Sequence, residues 1–458
     1  MLGTVLTTFL VSRAIGPSEV GRAALAGAVV MLVQPFVGFC FTNALVQRER
    51  LSREDAASAL WASLAVALAA AVPLAAAGLL LPDLLGPGVG PVLAALSLML
   101  PLNAVEGIAN GLLLRGHGFR VLALRGIGAH LAGLAAGLSL ALAGWGAWAV
   151  VGQQLAFFGA AAALAAAFAR FVPVLALRPG AIREMLPFAA TAALSGLAGR
   201  IGFRLFLLVV AGGAPALAGV LQIAFRIVEV ARELPSPFVV RYGLPALSRL
   251  RGDRAAFLDR LAALCRLSGL VFAPVFAGLA LCAAEVQALL LGPAWAGIVA
   301  PVQALSATLV FTAFGLPLGM AFLAAGMPKV NLALTLGGLT LVLALASLAP
   351  GGDGLAAAAA WAAMLAAETA AAGVLAARLL GFRPRRQLRA CATALLPAAA
   401  TAGAVLGGEA TGLFPASASP LALLAMKAAA GAAAGAPLVV LFARSAWREV
   451  AAPVPEPR

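Results

Sequence analysis

The chain is short of almost everything that keeps a protein in water. Only 10% of its residues are charged, where a soluble domain carries about a quarter. With 63% hydrophobic residues and a mean hydropathy of +1.05, there is too little polar surface to cover a water-facing globule, which excludes a soluble fold. Histidine occurs only at His117 and His130, and no Asp/Glu/His cluster exists, so neither a metal nor a cofactor is expected. Four cysteines, Cys40, Cys265, Cys282 and Cys391, stand apart in apolar runs without paired or metal-type spacing and read as small buried hydrophobes. Acids are scarcer than bases, 17 against 31.

What the chain does have is long apolar runs. Stretches able to cross a bilayer fall near 2–15, 20–45, 56–80, 91–114, 121–143, 146–169, 186–210, 217–240, 257–283, 297–325, 329–349, 356–380, 390–408 and 419–443. Ala, Leu, Val and Gly dominate without polar alternation, which indicates helices and not barrel strands. The first run, "MLGTVLTTFLVS", has no basic leader or cleavage site and is short of the ~20 residues of a full span. It reads as a shortened first helix or as a start placed too late. The expected fold class is therefore an all-α polytopic membrane protein with about 14 transmembrane helices.

The basic residues sort by loop. "QRERLSRED" (47–55), "RGHGFR" (115–120), the 170–184 and 241–254 segments, "MPKV", "GFRPRRQLR" and the tail from Arg444 hold Lys or Arg. The alternate loops, among them 82–90, 143–146, 211–216, 292–297, 350–354 and 408–420, hold none. The positive-inside rule places the first set, and with it both termini, in the cytoplasm. The basicity is thus a topology signal that also favours anionic membrane lipids, and no nucleic-acid partner is expected.

Landmarks recur about 200 residues apart. Pro17 and Gly21 match Pro215 and Gly219; Arg48, Arg50 and Arg53 match Arg249, Arg251 and Arg254; Arg120-Val121 matches Lys329-Val330. Six spans per half is an even number, so the halves enter the bilayer in the same orientation, a parallel repeat of the kind that builds transporters with a central substrate cavity. The expected organisation is a six-helix lobe at 1–170, a second at 171–385, and two extra helices with a cytoplasmic tail at 386–458.

"SRAIGPSEVGRAALA", "NALVQRERLSREDAASALWASL", "LLLRGHGFRVLAL", "AGVLQIAFRIVEVARELPSPF" and "GLPALSRLRGDRAAFLDRLAALCRL" resemble the bacterial polysaccharide-flippase branch of the multidrug/oligosaccharidyl-lipid/polysaccharide exporter superfamily, from about residue 3 to 385. The resemblance implies two six-helix lobes, location in the bacterial inner membrane, and a polyprenyl-diphosphate-linked glycan flipped from the inner to the outer leaflet for O-antigen or exopolysaccharide. It also implies glycan polymerase and glycosyltransferases as working partners. One departure concerns the seventh span: relatives carry an arginine followed by Asp or Asn before the Gly-Pro turn, whereas "GRIGFRLFLLVVAGG" has Arg200 and Arg204 and no acid.

A charge at membrane depth usually faces a cavity or a partner. Arg200 and Arg204, four apart, share a helix face and could grip diphosphate oxygens; pairing with another helix's acid is the alternative. Arg13 and Arg22 lie at the outer ends of the first two spans and are substrate-binding candidates, with pairing of Arg13 to Glu19 as the structural reading. Arg226 and Glu229, near Arg232 and Glu233, form either a cavity network or a self-neutralised packing device. Glu106, in a stripe with Asn103 and Asn110, and Glu368 are candidates for coupling proton movement or for interhelical hydrogen bonds. No residue is expected to be catalytic.

Three functions compete: flipping of a lipid-linked oligosaccharide, drug–cation antiport, and a membrane polymerase or ligase. Antiport of a cationic drug would favour acids in the cavity, whereas the intramembrane charges lean to arginine. An enzyme would need a substantial outer loop bearing catalytic residues, and every outer loop here is short.

Overall fold

The computed structural model describes residues 2–48, 51–116, 118–169, 174–233, 236–348, 353–415 and 417–451. It is 87% helical, with no strand among the described residues. Among the described residues eleven helices are long and apolar enough to cross a membrane, against the fourteen expected of the whole chain. The three that fall short have separate reasons. The first helix has 14 residues. The run at 186–210 lies within α-helix Pro179–Ala211, of which Ile201–Ala211 is the described apolar part. The run at 217–240 carries four charges, Arg226, Glu229, Arg232 and Glu233.

Packing divides the chain into two compact units, Met1–Gln222 and Ile223–Arg458. The first holds α1 (Leu2–Ile15), α2 (Pro17–Gln47), α3 (Arg53–Leu80), α4 (Val89–Ser97), α5 (Met99–Arg115), α6 (Phe119–Leu142), α7 (Ala147–Ala169), α8 (Pro179–Ala211) and the start of α9 (Pro215–Glu233). The second holds the rest of α9, α10 (Ser236–Ser248), α11 (Arg254–Leu281), α12 (Ala283–Leu290), α13 (Val299–Thr312), α14 (Gly315–Ala324), α15 (Pro328–Leu348), α16 (Gly354–Leu375), α17 (Pro384–Ala410) and α18 (Pro420–Ala451).

The repeat is visible in the helices themselves. Both α3 and α11 are 28 residues long, start at positions 201 apart, and carry a proline at the same point, Pro73 and Pro274. Each has a side-chain cap on its free N-terminal amides: Ser52 Oγ accepts from Asp55 N, and Asp253 Oδ1 accepts from Ala255 N and Ala256 N. Pro35 lies inside α2.

Within the first unit the two Gly-Pro hairpins cross. Gly16 and Gly213, each with φ near +80°, end α1 and α8 so that a proline can open the next helix. The paired helices α2 and α9 then approach at Gly21 and Gly219. A methyl on Gly21 would overlap the Pro215 carbonyl, and one on Gly219 would overlap the Pro17 carbonyl. The contact is reciprocal, glycine to glycine, and backbone touches backbone. Gly213 N also donates to Leu85 O at 3.0 Å, tying in the α3–α4 turn.

The opposite end of this unit is held by charge. Arg48 meets Glu184 at 3.0 Å, Arg178 pairs with Glu54, and Asp55 lies 3.9 Å from both arginines. Trp61 Nε1 donates to Val174 O at 2.9 Å and Arg178 N donates to Ser58 Oγ at 2.9 Å, anchoring the segment before α8. In the second unit α17 and α18 pack on α11. Leu267, Leu270, Phe314 and Ala446 form one cluster, and Ala273, Ala277 and Ala398 another. Cys265, Cys282 and Cys391 are free thiols, the first two buried; the side chain of Cys40 lies outside those described.

Candidate functional site

Because α2 begins immediately after the Gly16 turn, its first turn points Glu19 at the start of α7. Glu19 Oε2 accepts from Ala147 N at 2.8 Å, where the helix amides are unpaired and the helix dipole is positive. Its other oxygen receives Arg22 Nη1 at 2.7 Å. Both oxygens of Glu19 are thus engaged, one by Arg22 and one by the α7 cap. Arg22 Nε is buried without a hydrogen-bond partner, beside Gly88. Arg13, near the end of α1, is exposed.

Further along this unit, Arg204 of α8 donates to Gln222 Oε1 of α9 at 3.1 Å. Arg200 lies one turn earlier on α8, and its side chain is outside those described. Glu106 of α5 pairs with Arg125 of α6, both side chains 14% exposed. Asn103 Nδ2 donates to Glu106 Oε2 at 3.4 Å, and the side-chain oxygens of Asn103 and Asn110 are buried without partners. The polar stripe is therefore real, and its centre is an interhelical ion pair. Arg125, near the start of α6, turns into the α5–α6 interface.

In the second unit Arg226 contacts two acids of its own helix, Glu229 at 3.0 Å and Glu233 at 4.0 Å. Glu368 of α16 is half-buried against α15, where a methyl on Gly338 would sit 3.3 Å from its Oε2. Among the described residues it has no ion-pair partner. Of the six binding candidates, the described bonds directly join only Arg226 and Glu229. No group of three His, Cys, Asp or Glu side chains is placed to hold a metal among the described residues.

One cluster escapes a sequence reading. Lys427, Glu285 and Glu409 come together from α18, α12 and α17. The only signal for it is a single lysine in an otherwise apolar final span, "LALLAMKAAAGAAAG", since an unshielded charge at that depth implies a partner.

Comparison with known proteins fits this architecture. A family model described as polysaccharide biosynthesis protein matches residues 10–300. The succinoglycan biosynthesis transport protein ExoT of Rhizobium meliloti (strain 1021) is 27% identical over 295 residues, covering 64% of this chain and 59% of ExoT, so the match spans about three-fifths of that relative. Among solved structures, lipid II flippase MurJ in an inward closed conformation has the same fold with a TM-score of 0.73 at 13% identity, covering 98% of each chain. An inward-facing multidrug resistance MATE family transporter of the MOP superfamily follows with 0.61 at 18% identity, covering 84% of this chain and 94% of its own. The chain shares the fold of these two structures, and with a family model matching well over half of its length, it belongs to the polysaccharide biosynthesis protein family.

Proposed function

We propose that this protein carries a polyprenyl-diphosphate-linked oligosaccharide from the inner to the outer leaflet of the bacterial cytoplasmic membrane by alternating access, in the assembly of a cell-surface polysaccharide. The observation that carries the reading is the polysaccharide-biosynthesis family match over residues 10–300, on a chain of membrane-spanning helices. The ExoT likeness adds a transport protein of succinoglycan biosynthesis, and the MurJ likeness supplies a flippase fold.

The chemistry of the intramembrane charges agrees. A diphosphate is a dianionic, oxygen-rich group that guanidinium matches in shape and charge. Arg22, with a buried Nε that no hydrogen bond uses, and the Arg200/Arg204 pair of α8 are the residues we assign to the head group. Arg226, tied to two acids, and Arg13 have secondary roles. Glu106 and Glu368 are the acids we assign to coupling. The polyprenyl tail stays in lipid, and both termini face the cytoplasm with lobes at 1–170 and 171–385 and an added helix pair at 386–458. Partners are the membrane lipids, the glycosyltransferases that build the substrate and the polymerase that consumes it.

Drug–cation antiport is the second reading, favoured by the MATE likeness in fold. One experiment separates them: deletion of the gene, leaflet-resolved labelling of the lipid-linked glycan, and complementation with wild-type or R200A/R204A protein. Loss of outer-leaflet glycan in the deletion strain, restored by wild-type and at least tenfold less by the double variant at equal abundance, is expected. A normal rate of outer appearance in the deletion strain would overturn the flippase reading.

A further inference from the structure

Three charged side chains from three helices of the second unit meet at the end whose loops lack Lys and Arg. Lys427 Nζ lies 2.6 Å from Glu285 Oε1 and 2.6 Å from Glu409 Oε1. Lys427 and Glu285 are nine-tenths buried, whereas the Glu409 side chain is 41% exposed. Two carboxylates and one ammonium leave one negative charge in excess. Glu285 Oε2, moreover, is buried with no hydrogen-bond partner, and an ionised carboxylate oxygen left unsatisfied in apolar surroundings is costly.

The cluster therefore has use for one more positive charge. A metal ion fits poorly: no three His, Cys, Asp or Glu side chains are grouped to bind one among the described residues, and the ammonium already occupies the shared oxygens. A proton fits, because it needs only one carboxylate and leaves the ammonium to the other. Few other groups compete. Cys282, at the α11–α12 junction, is the remaining titratable neighbour. The 293–298 turn and α13 contain no ionisable residue, and the charges of α11 and the arginines of α17 and α18 lie at the opposite ends of those helices.

We propose that Glu285, Glu409 and Lys427 form a proton-binding site that sets how firmly the last two helices are held to α12. Exposed Glu409 gives the proton access from water. One proton added to the carboxylate pair neutralises the cluster and dissolves one of the two ionic arms that Lys427 extends from α18. This site is independent of the identity of the transported lipid, and its failure would leave the flippase reading untouched.

The test is infrared difference spectroscopy on the purified full chain, without substrate, as buffer is stepped from alkaline to acidic. A protonated-carboxyl band that rises with single-proton behaviour is expected, and it should vanish in E285Q/E409Q. K427M removes the ammonium that both carboxylates contact, so the pH at which the band appears should change. Replacing choline with sodium at fixed pH should leave the band unchanged. The proposal is overturned if E285Q/E409Q keeps the band, if K427M does not move it, or if sodium displaces it. Should K427M fail to fold, the single variants E285Q and E409Q, which preserve shape, take its place: each should diminish the band, and an undiminished band in both overturns the proposal.

Discussion

Glu106 and Arg125 show how a membrane helix can carry full charges: each is more than four-fifths covered, and each neutralises the other. Removing one partner strands the other in low dielectric, which costs about 3–5 kcal/mol in buried pairs, whereas removing both costs much less. Glu106→Leu and Arg125→Met should each lower unfolding stability in detergent by about 3 kcal/mol, and the double variant should recover a large part of that. Strictly additive losses would show that the two side chains are not coupled. This scale was only half legible in the sequence. The Asn103–Glu106–Asn110 stripe announces itself by its three- and four-residue spacing, because neighbours on one helix face are fixed by local geometry. Arg125 sits on another helix, and Lys427 is 142 residues from Glu285; no local period links such pairs.

Elements were more readable than residues. The 201-residue recurrence of basic loops anticipates two equal helices, and α3 and α11 match to the residue, prolines included. Hydropathy did not reveal that the run at 91–114 is divided between α4 and α5 at Leu98, or that the run at 297–325 is divided between α13 and α14. An apolar stretch reads the same through a break in the helix. The Gly-Pro hairpins were legible as hairpins, and their mutual contact was not. That contact makes a prediction. Gly21→Ala places a methyl against the Pro215 carbonyl, an overpacking that costs roughly 1–3 kcal/mol and is relieved only by separation of α2 from α9. In a cysteine-free background with Leu217→Cys, a buried position on α9, Gly21→Ala should raise the labelling rate by a soluble thiol reagent at least fivefold. An unchanged rate would mean that the crossing relaxes without opening.

At the scale of the molecule, composition alone places the chain in a membrane, because 10% charge cannot clothe 63% hydrophobic residues. The division by packing at Gln222 has no mark in the sequence: it falls inside α9, and it depends on α8 and the first turns of α9 lying against α2. Orientation is a separate matter, carried by the arginines. Alkaline phosphatase fused after Gly86 or Trp295 should be active, and fused after Arg251 or Arg383 inactive, since the enzyme matures only outside the cytoplasm. The reverse pattern would invert every span and place the Lys427 cluster at the inner face.

The Gly21–Gly219 crossing also constrains the genetics of this protein. When a side chain collides with a side chain, a smaller residue opposite can repair the damage. Here each glycine confronts its partner's main chain, which no codon change can trim. Second-site suppressors of Gly21→Ala would thus not arise at residue 219; they would have to lie where a substitution lets a whole helix shift, and their positions would map the joints about which α2 and α9 turn.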